Sequence, residues 1–142
     1  MLAGDNWIGK VVSAIQNGPD WASTAIFITY DDCGCFYDHV APPINPDGTQ
    51  QGPRVPMVIV SPYAIAGSTD SHNATFASIL AFTEHVFGIP ALAANDAAAY
   101  DYANSFNFSQ RRLPPIALSR HPVPPDSVAY LKSHPETEED ET

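Results

Sequence analysis

Residues 24–40, TAIFITYDDCGCFYDHV, decide how this chain is read. A short apolar run ends abruptly in two adjacent carboxylates, Asp31 and Asp32. A glycine-centred turn, the Asp38-His39 pair and then prolines follow. An apolar run without polar alternation suits a strand buried on both faces of an α/β sheet. Such a sheet carries its chemistry just beyond the carboxyl ends of its strands, and Asp31 and Asp32 stand at that point. Side-by-side carboxylates repel one another and resist desolvation, so a positive partner is expected beside them. A divalent metal ion that prefers hard oxygen ligands is the economical candidate, its identity open. The competing reading is local: Asp caps turns and bonds nearby backbone amides.

Working outward, the apolar residues Trp7, Ile8, Val11, Val12 and Ile15 recur at helical spacing and predict a helix over 5–17. Asp5 or Asn6 is its expected amino cap, and Asn17-Gly18-Pro19 its stop. The strand over 24–30 follows a turn around 19–23. Residues 41–53 read as a loop by composition. RVPMVIVS, 54–61, is a second β-branched run whose Pro56 belongs at an edge. Residues 75–87 predict an amphipathic helix with Phe76, Ile79, Leu80, Thr83, Val86 and Phe87 on the buried side and Gly88 as its carboxyl cap. Residues 91–102 are weakly helical, and a short helix is expected near 127–132. The acidic end, 134–142, reads as disordered. Two strands are fewer than the usual sheet of about 4–6, so the sequence looks like one edge of a larger α/β domain. The domain division it suggests is 1–112, with a Pro-rich and acidic tail over 113–142.

Bulk composition excludes several classes. With 142 residues and 44% hydrophobic content, the chain is long enough for one folded domain. Its 14 prolines, about twice the usual share, gather mainly in 42–62 and 114–135 and predict long irregular connections. A net charge of −10 with six basic residues argues against nucleic acid or an anionic membrane surface as partner. No apolar stretch approaches the roughly 20 residues of a transmembrane helix, and no export signal is seen at the amino end, so localisation stays unassigned. Cys33 and Cys35 are the two cysteines. A strained bridge, soft metal ligands and two small side chains in a turn are the readings available to them.

Four blocks in order carry a resemblance: GDNWIGKVVSAI (4–15), NGPDW with STAIFITYDD and FYDHVAPP (17–43), GPRVPMVIVSPYA (52–64), and SILAF with FGIPAL (78–92). Together they resemble the carboxy-terminal part of the phosphoesterase family, over about residues 4–108. That family includes non-haemolytic phospholipases C and acid phosphatases within the alkaline-phosphatase-like superfamily. The resemblance implies a partial α/β/α domain with irregular Pro-rich loops and hydrolysis of phosphate mono- or diesters. It also implies a phosphate ester or phospholipid substrate for the full-length protein. Asp31 and Asp32 match the family's carboxylate pair at the metal. The family pattern has Gly-Gly where this chain has Gly34-Cys35, a difference of turn geometry. The family's Glu-Asn block, hydroxyl nucleophile and phosphate-facing histidines would precede Met1. The chain is therefore expected to be a partial phosphoesterase that is inactive alone and prone to aggregate. Full-length relatives are often exported. The alternative is a non-catalytic acidic module that holds a metal through Asp31, Asp32 and the cysteine thiols.

Among the other candidates, His39 and Arg54 carry two readings each. His39 is the candidate catalytic residue, either donating to a phosphoryl oxygen or orienting an aspartate, or else bonded to loop backbone. Asp38 reads as a loop acceptor. Arg54 suits a phosphate clamp chemically, but its place at the amino end of the second strand favours a structural ion pair. His72 lies in the loop after that strand, one position from the family's histidine. Glu84 and His85 read as exposed helix residues. His121 and His134 suggest nothing catalytic.

Overall fold

The computed structural model describes residues 2–34 and 36–135, so the expectations for Cys35 and for 136–142 lie outside the described residues. Two compact units emerge, residues 22–114 and residues 1–21 with 115–142.

The larger unit is built on a two-stranded antiparallel sheet of β1 (Ile26–Thr29) and β2 (Met57–Val60). Both strands are shorter than the apolar runs that predict them. Phe27 pairs with Ile59, and Thr29 with Met57. Phe27 anchors the core: its ring lies 5.1 Å from Phe82, 5.4 Å from Tyr102 and 6.3 Å from Phe106. Phe82 stacks on Phe106 at 4.9 Å. Alternate residues of a strand point to opposite faces, so the face with Phe27 is the packed one. Val58, opposite Ile28, is 55% exposed. The unbroken apolar pattern therefore does not mean burial on both faces here. Every residue of β1 is half-buried.

Helix α2 spans Phe76–Phe87. Thr75 caps its amino end and Ser78 returns the bond, completing a capping box; Gly88, at φ 63°, closes the other end through the carbonyls of Glu84 and His85. The helix lies where the sequence predicts it, but its buried stripe is Ser78, Ala81 and Glu84. Phe76, Leu80, Val86 and Phe87 are exposed, against the expectation from the sequence. Helix α3 is one turn, Ala94–Ala97, and a 3-10 turn follows over Ala103–Ser105.

In the smaller unit α1 covers Leu2–Gln16. It begins before the expected cap, so Asp5 falls in its first turn, where a negative charge complements the helix dipole. Asn6 instead grips His121: its amide donates to the His121 carbonyl at 2.6 Å, and its oxygen accepts from the His121 amide at 2.9 Å. Buried Gln16 accepts from the Ile116 amide at 2.7 Å. Helix α4, Pro125–Ser133, starts with proline in its first turn, where no amide is missed.

Candidate functional site

The acidic turn begins two residues beyond β1. Asp32 Oδ1 accepts from the Gly34 amide at 2.5 Å, and Asp31 Oδ1 from the Asp32 amide at 3.1 Å. Gly34 has φ 55°, a left-handed conformation that disfavours residues with a Cβ. The turn thus fixes both side chains through one oxygen each by local backbone bonds, and both residues remain exposed. Asp31, Asp32 and Cys33 line a cleft of about 1460 Å³ in the larger unit. Among the described residues, no group of three or more His, Cys, Asp or Glu side chains comes together to hold a metal. The donor set fits a hard cation in chemistry, as two adjacent carboxylates open to solvent, and is a partial ligand set in number.

Because the strands are antiparallel, the amino end of β2 lies beside the carboxyl end of β1. Arg54 therefore lines the same cleft as the acidic pair, and its strand-end position is no argument against a functional role. Its guanidinium is nonetheless committed: Nε donates to Asp38 Oδ2 at 2.8 Å and Nη2 to Asp38 Oδ1 at 2.9 Å. The Arg54 side chain, with the Val40 and Arg54 amides, holds the Asp38 carboxyl well below the usual carboxylate range, against a smaller desolvation. This pair ties loop 36–40 to the start of β2. His39 is exposed beside it and does not appear among the residues that line the cleft.

The same cleft is lined by a network that the sequence does not announce. Asp70 Oδ1 accepts from the His72 amide at 3.0 Å and contacts His72 Nδ1 at 2.7 Å. Its Oδ2 accepts from the Tyr100 hydroxyl at 2.6 Å and the Ser105 hydroxyl at 2.7 Å. Burial pushes the Asp70 carboxyl up, but the donors from Tyr100, His72 and Ser105 outweigh it and hold the group well below its ordinary value. Tyr100 is pushed up by burial and by the Asp70 bond. The His72 ring stacks on Tyr100, 4.4 Å between centroids. With Nδ1 turned to Asp70, His72 presents Nε2 away from it, 3.4 Å from the Asn104 amide nitrogen. Asp70 and His72, two apart in a polar loop, are the sole sequence signal for this network. Nothing in the spacing of Tyr100 and Ser105 foretells that they meet Asp70.

Among the described residues, no helix is long and apolar enough to cross a membrane.

Comparison with known proteins places this geometry in context. Residues 1–90 match the phosphoesterase family. The chain is 32% identical to the non-hemolytic phospholipase C of Burkholderia pseudomallei (strain K96243), across 89% of this chain and 25% of that protein. It is 29% identical to the non-hemolytic phospholipase C of Pseudomonas aeruginosa, across 75% of this chain and 20% of the relative. Non-specific phospholipase C1 of Arabidopsis thaliana is 34% identical across 48% of this chain and 16% of its own length. The chain spans a quarter or less of the length of these relatives.

Proposed function

The chain belongs to the phosphoesterase family, and from that premise we propose that it is the cation-holding portion of a phosphoric ester hydrolase of the phospholipase C or acid phosphatase type. Its two strands and flanking helices are read as part of an α/β/α domain of the alkaline-phosphatase-like kind. The observation that carries the assignment is the contrast in how its aspartates are held. Asp31 and Asp32 sit exposed in the cleft on local turn bonds, while Asp38 and Asp70 are held by partners elsewhere in the chain.

In this reading Asp31 and Asp32 hold a divalent cation, and the Gly34 turn sets the direction of their oxygens. The cation, when bound, supplies positive charge to the phosphoryl oxygens of a phosphate ester or phospholipid. Asp38 and Arg54 brace the loop beyond the turn. Asp70 fixes the His72 ring, which turns Nε2 away from the carboxylate and toward the Asn104 amide. Two carboxylates alone bind a divalent ion weakly, on the order of millimolar, so a working centre needs ligands in addition to these.

Calorimetric titration with Mg²⁺, Ca²⁺ and Mn²⁺ tests the assignment. The 142-residue chain is expected to bind one of them weakly, and the Asp31→Asn/Asp32→Asn double variant to lose it. Unchanged binding in the double variant would remove the carboxylates from the site. The chain alone is expected to leave p-nitrophenyl phosphate and p-nitrophenyl phosphorylcholine intact, and turnover abolished by Asp31→Asn would show it to be an enzyme by itself. In a longer phosphoesterase carrying this segment, Asp31→Asn is expected to lower turnover about 10²-fold or more. Wild-type turnover there would contradict the hydrolase role of the pair.

A further inference from the structure

A second pair of carboxyl groups lies apart from the acidic turn, in a small pocket of about 250 Å³ beside α2 and α3. Glu84 on α2 is 6% exposed and Asp96 on α3 is 4% exposed. Asp96 Oδ2 accepts from the amides of Leu92 and Ala93, at 2.6 Å and 3.2 Å. Glu84 Oε1 is buried with no donor directed at it, and both side chains line this one pocket, where the Glu84 carboxyl feels the Asp96 charge. Two ionised carboxylates in contact away from water repel one another and lose hydration together. One proton resolves both faults, because a protonated carboxyl donates where an ionised one only accepts. The Leu92 amide also acts on Glu84, but Asp96 accepts from both Leu92 and Ala93, which favours Asp96 as the anion and leaves Glu84 as the acid.

We propose that Glu84 and Asp96 form a one-proton latch that fixes residues 88–97 to α2, and that loss of this proton as pH rises loosens one wall of the cleft. The link to the cleft is covalent and short. Asn95, next to Asp96, lines the cleft and donates to Asp47 Oδ2 in the Pro-rich loop at 2.8 Å. Tyr100, shortly after α3, holds Asp70. The other charged groups at the pocket are His85 on α2 and Asp101 in the segment after α3, paired Nδ1 to Oδ2 at 2.5 Å with the His85 side chain 68% exposed. That pair is the rival source of any pH response.

Burial, then the Asp96 bond and charge, raises Glu84 above its ordinary range. Its contribution is full below the unfolded value and is lost as pH rises through the folded one. For Asp96 burial opposes ionisation, but the Leu92 amide and further hydrogen bonds outweigh it and lower the group. Its contribution is lost as pH falls through that lowered value. The latch is therefore strongest in the ordinary carboxylate range, between the unfolded values of Asp96 and Glu84, with a single proton held.

The test is ¹³C-carboxyl titration of the full 142-residue chain, together with amide hydrogen exchange at Leu92 and Ala93 corrected for intrinsic rates. Glu84 is expected to titrate above the ordinary carboxylate range. Protection at Leu92 and Ala93 should fall about tenfold for each pH unit between its ordinary and its raised value. In Glu84→Gln the side-chain amide donates permanently, so protection becomes flat with pH. In Asp96→Asn the new amide donates to Glu84, which should then titrate lower than in the wild type; this variant carries the test should Glu84→Gln not fold. In His85→Asn the fall persists. The proposal is overturned if Glu84 titrates in or below the ordinary range, or if it titrates no lower in Asp96→Asn than in the wild type. A parallel fall in Glu84→Gln, or a fall that disappears in His85→Asn, would also overturn it.

Discussion

Asp31 and Asp32 line the same cleft as Asp70, yet they are held in opposite ways. The acidic pair is exposed and accepts from amides no more than two residues away. Asp70 gathers donors from its own loop and from Tyr100 and Ser105, 30 and 35 residues further on. A carboxylate satisfied from several segments is part of the fold, and its loss leaves those segments unpaired. A carboxylate held only in its own turn fixes nothing distant and keeps its charge available to a ligand. The difference separates scaffold from site more sharply than residue type, since both regions are aspartates on one cleft.

Breaking the scaffold side gives the largest effect. Asp70→Ala orphans the Tyr100 and Ser105 hydroxyls and the His72 amide, and is expected to cost about 2–3 kcal/mol in urea unfolding. The depressed Asp70 carboxyl also fixes the sign with pH. Its stabilisation is complete above the ordinary carboxylate range and is lost as pH falls below it. The gap between wild type and variant should therefore shrink in acid, and a constant gap would show that the Asp70 charge is not what holds the wall. A smaller effect follows at the turn. Gly34 lies at φ 55°, where an added Cβ would meet the Phe36 ring at 3.2 Å. Gly34→Ala is expected to cost about 1 kcal/mol and to weaken cation binding by misdirecting the Asp32 oxygens. Unaltered binding would show that the turn does not set their direction. Smallest of all is Asp31→Asn/Asp32→Asn, which should leave the unfolding midpoint unchanged.

Local chemistry was legible in the residues, and long-range pairing was not. The caps of α2 follow from Thr75, Ser78 and Gly88, each acting within a turn of its own position. The apolar runs around Phe27 and Ile59 mark strands correctly, but direction is a property of two segments together. The antiparallel register is what brings Arg54 to the end of the sheet where Asp31 and Asp32 sit. On α2, side-chain size does not mark the buried face. Small Ser78 and Ala81 allow close approach, and Glu84 goes inward because Asp96 is there to meet it. The acidic turn itself was readable as an apolar run ending in adjacent aspartates. The Asp70 network was not, because its partners are distant in sequence.

Adding Mn²⁺ to the ¹⁵N-labelled chain and following amide line broadening compares all the acidic regions at once. Broadening centred on the amides of Asp32 and Gly34, and absent from that centre in Asp31→Asn/Asp32→Asn, is the result this account predicts. Broadening centred instead on Asp70 or Asp96, or an unchanged pattern in the double variant, would contradict it.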